Sequence, residues 1–541
     1  MSSEKPEQLL LGLDEHQRTA AEHLHGPLAI VAGAGSGKTR TISHRIAFGV
    51  ATGAYAENRV LALSYTNRAA AELRTRLRSL GCAGVSVRTI HSAALAQLQF
   101  FWPQLTQSMA PKLVTNKHGM ANEVLDQLKI RISEQERAAL LAEIEYLRYS
   151  MTDIDSYPGI ARPALALSPE RFVEFFREYE KFKQRKRVVD WEDVILLTTG
   201  LLRNESRMLS HVHQQYRFFT VDEYQDISPL QQGLLETWLG DRDQLCVVGD
   251  PRQNIYSFAG ASSEFLLDFE ERYPDAKVVE LSTNYRSGAQ IVEMANRVGS
   301  FGPIGAVRPA SSIPKVSGYP DSQAEAVAIA KAIAAQAKIR KLSEIAVLSR
   351  INSQLQPIEQ ELNRLGIESQ LRGAGRFFRQ PKVMQAFSAI RALRTTANDQ
   401  PLFAQVSEIL SALGWTSKQQ KSKDWESLNW FIEVLDNLGE ASLEEYIREL
   451  DDWEGSGHEP QSEAVTLATI HATKGLEWES VFVVGVNQGI FPISHAKSEA
   501  EKAEEKRLFY VAITRAKDEL QISYGNDKQV SEFIPLIDSR S

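Results

Sequence analysis

Short, wholly apolar runs that stop at glycine or an acid alternate along this chain with longer segments of helical periodicity. "LAIVA" at 28–32, "FFTV" at 218–221, "LCVVG" at 245–249 and the run within "EIAVLSRINSQLQPIEQEL" lack the polar alternation of a half-exposed strand. Continuous runs of this kind mark strands buried on both faces, and their alternation with helices predicts an α/β fold with largely parallel sheets. Two stretches interrupt that rhythm. Residues 106–189 and 381–463 are helical in pattern and rich in charge, the second ending in "SLEEYIRELDDWEGSGHEP", whose "GSGHEP" reads as a linker. The expected organisation is a first α/β lobe of 1–105 and 190–280 carrying the insertion 106–189. A second lobe of 281–380 and 464–541 carries the insertion 381–463. No internal repeat or low-complexity tract accompanies them.

Composition narrows the class. A chain of 541 residues with 43% hydrophobic and 24% charged positions is ordinary for a multidomain globular protein. No apolar run is long enough to span a bilayer, and "MSSEKPEQLLLGLDEHQ" lacks the apolar core of a signal peptide, so a cytoplasmic protein without a membrane partner is expected. Cys82 and Cys246 are the only cysteines, which excludes a disulfide framework and a four-cysteine zinc site. The net charge of −8 excludes a small DNA-coating protein but not a local basic groove. "KFKQRKR" at 181–187 is one such concentration, readable equally as a solvated helix face. "HVH" at 211–213 has too few neighbours of ligating type to hold a metal.

The chemistry begins where the first apolar run ends. "LAIVAGAGSGKTRT" places a glycine-rich turn between a strand and a helical segment. Gly33, Gly35 and Gly37 permit the backbone to curl its N–H groups around phosphate oxygens, with Ala34 and Ser36 between them. Lys38 neutralises β- and γ-phosphates and the Thr39 hydroxyl ligates Mg²⁺ in such a loop. The strict pattern has glycine where this chain has Ala32. A partner carboxylate should close a second buried strand, and "FFTVDEYQD" supplies Asp222 for the metal and Glu223 as a base for water. "LCVVGDPRQNIYSFAGA" repeats the pattern. Gln253 is placed to hydrogen-bond a phosphate or the attacking water, and Tyr256 and Phe258 offer faces for stacked bases. These segments predict a nucleoside triphosphate hydrolase whose three strands share one sheet.

Together with further motifs, this constellation resembles the superfamily 1 DNA helicases of the UvrD/PcrA/Rep type, in a compact actinobacterial-like form, from about residue 9 to 524. "LDEHQRTA" resembles the family's adenine-reading segment through Gln17, and Arg40 a residue that packs on the base. "LALSYTNRAAAELRTRL" and "VRTIHSAA" resemble its DNA-contact motifs, through Tyr65, Thr89 and His91. "LSTNYRS" resembles the segment whose Tyr285 stacks on adenine and whose Arg286 reaches the γ-phosphate. "VTLATIHATKGLEWESVFVVG" matches the motif joining DNA and nucleotide, through His471, Lys474, Gly475 and Glu477. "YVAITRAKDEL" resembles the last motif, whose arginine, here Arg515, acts as a finger on the γ-phosphate.

The resemblance implies two RecA-like lobes with helical insertions, and ATP hydrolysis at the cleft between the lobes driving 3′→5′ movement along DNA. ATP and Mg²⁺ are the implied cofactors, single-stranded and tailed duplex DNA the implied partners, and DNA repair or replication maintenance, with a repair-protein partner, the implied setting. The tail after 524 is expected to hold no nuclease or added DNA-binding domain. Three features depart from the pattern. Arg252 stands where the family has aspartate, Ala259 where it has arginine, and 381–463 is short for the second insertion. They leave open a DNA-stimulated translocase that unwinds little alone. A nucleotide-gated binding module for a repair partner is the alternative outside enzymes.

Overall fold

The computed structural model describes residues 6–114, 117–160, 165–310, 312–372, 377–395, 400–418, 422–439, 441–456 and 463–537. The chain divides into two compact units, one of Met1–Ala32, Lys38–Thr66 and Glu72–Leu281, the other of Gly33–Gly37, Asn67–Ala71 and Ser282–Ser541. In the first, strands β1 (Leu28–Ala32), β2 (Val60–Ser64), β3 (Ser86–Thr89), β4 (Phe218–Val221), β5 (Leu245–Gly249) and β6 (Lys277–Leu281) form one sheet. Their order is β3-β2-β4-β5-β1-β6 and every pairing is parallel. β2, β4 and β5 are buried at every position, which is why their sequences run apolar without alternation. Parallel pairing brings all six carboxyl ends to one edge, the usual place for a ligand crevice.

The second unit holds an equivalent sheet of β7 (Lys315–Tyr319), β8 (Ile345–Ser349), β9 (Ser369–Leu371), β10 (Val465–Thr469), β11 (Trp478–Val483) and β12 (Ala516–Gly525). Its order is β7-β12-β11-β8-β10-β9, again parallel throughout. This is the mixed α/β architecture of parallel sheets that the apolar runs predict. Among the described residues no helix is long and apolar enough to cross a membrane.

Each unit carries a helical cluster. In the first, helices Lys117–Gln127, Glu134–Tyr149 and Pro169–Lys186 surround a core that includes Leu140, Ile144, Phe172, Phe175 and Tyr179. Buried ion pairs tie it to the start of helix Trp191–Asn204. Lys117 Nζ lies 2.8 Å from Glu192 Oε2, and Lys183 Nζ lies 2.9 Å from Asp190 Oδ2 and 2.7 Å from Asp193 Oδ2. The basic run 181–187 is therefore divided in purpose. Lys183 points into this buried network, whereas Lys181, Arg185 and Lys186 are more than half exposed.

The second cluster comprises Pro381–Ala392, Leu402–Ala412, Lys423–Leu438 and Leu443–Ser456, packed on Phe387, Trp430, Phe431, Tyr446 and Ile447. Most of "GSGHEP" lies outside the described residues. The "HVH" pair is absorbed structurally: the His211 ring packs on Phe100 and Phe101, and His213 Nε2 lies 3.3 Å from Thr237 O.

Candidate nucleotide and DNA site

Five segments reach the carboxyl edge of the first sheet. Ala32 ends β1 fully buried, so its methyl group belongs to the core at the point where the strict pattern has glycine. The turn that follows needs its later glycines, since Gly35 and Gly37 have φ of 69° and 80°, a region costly for other residues. Ser36 Oγ donates to Gly33 O at 2.8 Å, and helix Lys38–Ala51 begins directly afterwards. Thr39 Oγ1 lies 3.5 Å from Asp222 Oδ2. A hydroxyl and a carboxylate oxygen at this spacing suit a hard divalent cation, which takes few protein oxygens and completes its shell with water and phosphate.

Burial pushes the Asp222 carboxyl up to about 7, with Glu223 adding to the shift and Lys38 opposing it. Glu223 donates its backbone N–H to Asp222 Oδ1 at 2.9 Å and sits in the left-handed region at φ 55°. Such a conformation in a non-glycine residue stores backbone strain. Gln253 is buried, its Nε2 donating to Asp250 Oδ2 at 2.7 Å. Arg252 turns back on the same acid, with its N–H 3.1 Å and its Nη1 3.3 Å from Asp250 Oδ1. Gln17 is also buried and closes a capping box with Asp14 at the start of helix Glu15–Glu22. The Arg40 guanidinium lies over Gly12, where a Cβ would sit 3.1 Å from its Nη2.

In the second unit, Asn284 Nδ2 donates to Ala34 O at 2.7 Å and Tyr285 N to Gly35 O at 2.9 Å. A Cβ on Gly35 would stand 2.7 Å from Asn284 Nδ2, so close approach as well as φ requires glycine there. Tyr285 keeps 39% of its surface exposed. Arg286 Nε pairs with Glu477 Oε2 at 2.5 Å, and Lys517 Nζ lies 3.2 Å from Glu477 Oε1. Burial alone would raise the Glu477 carboxyl, but Arg286 and Lys517 outweigh it and hold it below the usual range. Arg515 is almost wholly buried; its Nε donates to Val511 O and its Nη1 to Leu476 O, both at 3.1 Å.

The aromatic candidates of the first unit form a ladder. Tyr65 follows β2 and stacks on Tyr256, with ring centroids 5.3 Å apart, and Phe258 lies 6.2 Å beyond. Phe258 is half exposed. Thr89 is buried as the N-cap of helix Ile90–Thr106, bonded reciprocally with Ser92. His91 Nε2 meets Tyr149 Oη at 2.9 Å and its ring edge meets Trp191. Burial, aided by Lys117, lowers its pKa to about 4. His471, in the second unit, is lowered to about 3 by burial and Arg350.

Sequence reasoning passed over four residues in this geometry. Gln225 and Asn284 lie inside motifs whose neighbours were assigned, so proximity was an available signal. Asp250 closes β5 as Asp222 closes β4, which is the same signal of an acid after an apolar run. Tyr149 had none, because it meets His91 across 58 positions of chain.

The sequence profile of the UvrD/REP helicase N-terminal domain matches residues 13–274. That of the UvrD-like helicase C-terminal domain matches 279–404 and 394–527. The chain is 38% identical over 553 residues to the ATP-dependent DNA helicase UvrD2 of Mycobacterium bovis, covering 96% of this chain and 79% of that one. It is 26% identical over 616 residues to the ATP-dependent DNA helicase PcrA of Bacillus subtilis, covering 95% and 83%. With PcrA of Leuconostoc citreum the identity is 27% over 625 residues, covering 95% and 82%.

Proposed function

Because the chain belongs to the UvrD/REP helicase family, we propose that it is an ATP-dependent DNA helicase that moves 3′→5′ on single strands in DNA repair or replication maintenance. The observation that carries this reading is the meeting of Thr39 and Asp222 beside the strained Glu223, on the sheet edge that also bears the Tyr65–Tyr256 stack. Lys38 and the N–H groups of 33–37 hold the phosphates. Thr39 and Asp222 hold Mg²⁺, which supplies charge neutralisation at the phosphates. Glu223 takes the proton of the attacking water, Gln253 orients that water or a phosphate oxygen, and Arg286 and Arg515 stabilise charge on the γ-phosphate. Gln17, Arg40 and Tyr285 receive the base. Tyr65, Tyr256 and Phe258 stack DNA bases, with Thr89, His91 and His471 beside the strand.

A second reading within the enzymes is a translocase that unwinds little by itself. It is favoured by Ala259, which puts no cation in the turn Ser257–Ala259. The alignment with PcrA runs to 616 positions while covering 95% of this chain's 541 residues, so that relative holds segments with no counterpart here. The test is ATP hydrolysis with and without single-stranded DNA, alongside displacement of 3′- and 5′-tailed duplexes of increasing length. Absence of DNA-stimulated hydrolysis refutes the function. Displacement from 5′ tails alone refutes the polarity, and efficient unwinding of long duplexes by monomer refutes the second reading.

A further inference from the structure

Gln225 lies two residues beyond Glu223 and is completely buried. Its amide is committed at both ends. Oε1 accepts the backbone N–H of Asp250 at 3.0 Å, which leaves the NH₂ group facing Glu223 Oε2 at 2.6 Å and Asp226 Oδ2 at 3.3 Å. Its own carbonyl accepts from Asn254 Nδ2 at 2.9 Å. Gly249 makes room for it, since a Cβ there would stand 2.5 Å from Gln225 Oε1. The amide thus bridges the carboxylate after β4 and the segment after β5 that presents Gln253 and Tyr256.

We propose that Gln225 is a positioning residue that holds the Glu223 carboxylate in register with Asp250 and Gln253 along one hydrogen-bond path. This rests on the reading of Glu223 as the base for water. The path runs from Glu223 through the Gln225 amide to the Asp250 N–H, and from the Asp250 carboxylate to Gln253. Gln225, Asp250 and Gln253 are buried and Glu223 is partly so, a setting in which geometry is held tightly and a lost partner is expensive. Arg252 fits the same scheme, since its contact with Asp250 balances the charge at the middle of the path.

Gln225→Glu keeps the shape but removes the NH₂ donor, and Gln225→Met removes both bonds. Gly249→Ala displaces the amide without altering it. Each is assayed for steady-state ATP hydrolysis on oligothymidine, with thermal unfolding measured on the same preparations. The expected result is a fall of about 10²-fold in kcat with KM for ATP and half-saturating oligothymidine within about threefold of wild type. That split separates positioning from a general loss of structure, which would move all three together with the unfolding midpoint. A folded variant that keeps kcat within about threefold, or that loses only ATP affinity, overturns the proposal. A wild-type protein without DNA-stimulated hydrolysis would instead overturn the function, so the two failures are distinguishable.

Discussion

In the first sheet the candidate chemistry follows the strands: Asp222 and Glu223 after β4, Asp250 after β5, Tyr65 after β2. In the second, Glu477 immediately precedes β11 and Arg515 immediately precedes β12, joined where Trp478 N donates to Arg515 O at 3.0 Å. The two sheets are alike in strand number and in parallel pairing, yet these candidate side chains sit at opposite ends, His471 after β10 excepted. Helix polarity accounts for the difference. At the carboxyl ends of parallel strands the following helices begin, so Lys38–Ala51 presents its positive N-terminus, which favours phosphate. At the amino ends the preceding helices finish, and Glu499–Ile513 presents carbonyls that favour a cation. Val511 O is one of these and holds Arg515. One edge is built to receive anions, the other to store an arginine.

The sharpest way to break this contrast is to remove the cation of each edge. Lys38→Ala should abolish ATP turnover while leaving unfolding within about 0.5 kcal/mol of wild type, because the side chain fills no core. Normal turnover in that variant would end the reading of the first edge. Arg515→Ala should retain nucleotide binding and lose about 10³–10⁵ in turnover. Unlike Lys38→Ala, it should also destabilise the second unit, since Leu476 O loses its Arg515 donor and a buried carbonyl left unpaired costs about 1–3 kcal/mol. Lost affinity with unchanged turnover per bound ATP would exclude the finger.

A smaller effect follows from the histidines. His91 and His471 are held neutral, at about 4 and about 3, against an ordinary 6.5. The unfolded chain takes up these protons first, so stability is lost as pH falls below about 6.5, by up to about 3 kcal/mol for a shift such as that of His91. Urea unfolding between pH 7.5 and 4 should show this slope, and His91→Gln and His471→Gln should each flatten it. An unchanged slope in both variants would contradict the assignment. The smallest effect belongs to Glu477→Gln, which frees Arg286 from a half-exposed ion pair. Stability should change by about 1 kcal/mol or less, visible as a small shift in the urea midpoint.

The glycine turn after β1, the acids after β4 and the buried strands were legible because each is a local pattern in which a few adjacent residues carry the whole physical argument. Arg515 was not legible in that way. Its segment is also a plausible solvated helix end, and only its resemblance to a motif gave it a role. Thr89 shows the converse, because its hydroxyl is spent on capping a helix, an arrangement that "TIHS" encodes as plainly as a contact to DNA. Lys183 shows what a charge run conceals, since one lysine among several turns inward to acids that follow in the chain. Contacts such as His91 with Tyr149, and the double engagement of Gln225, depend on chain crossings that no window of sequence spans.

The ion pairs beneath the first helical cluster bear on how such a protein varies over generations. Lys117 and Lys183 are matched to Glu192, Asp190 and Asp193 on the host side, and removing one member of a buried pair typically costs about 3–5 kcal/mol. Removing Lys117 or Lys183 in a single step would strand the buried acids that face it. The second cluster has an aromatic core of its own, and its ion pairs, such as Arg391 with Asp451 and Arg394 with Glu444, lie near the surface. Loss of those exposed pairs one at a time should therefore be tolerated better than loss of Lys117 or Lys183.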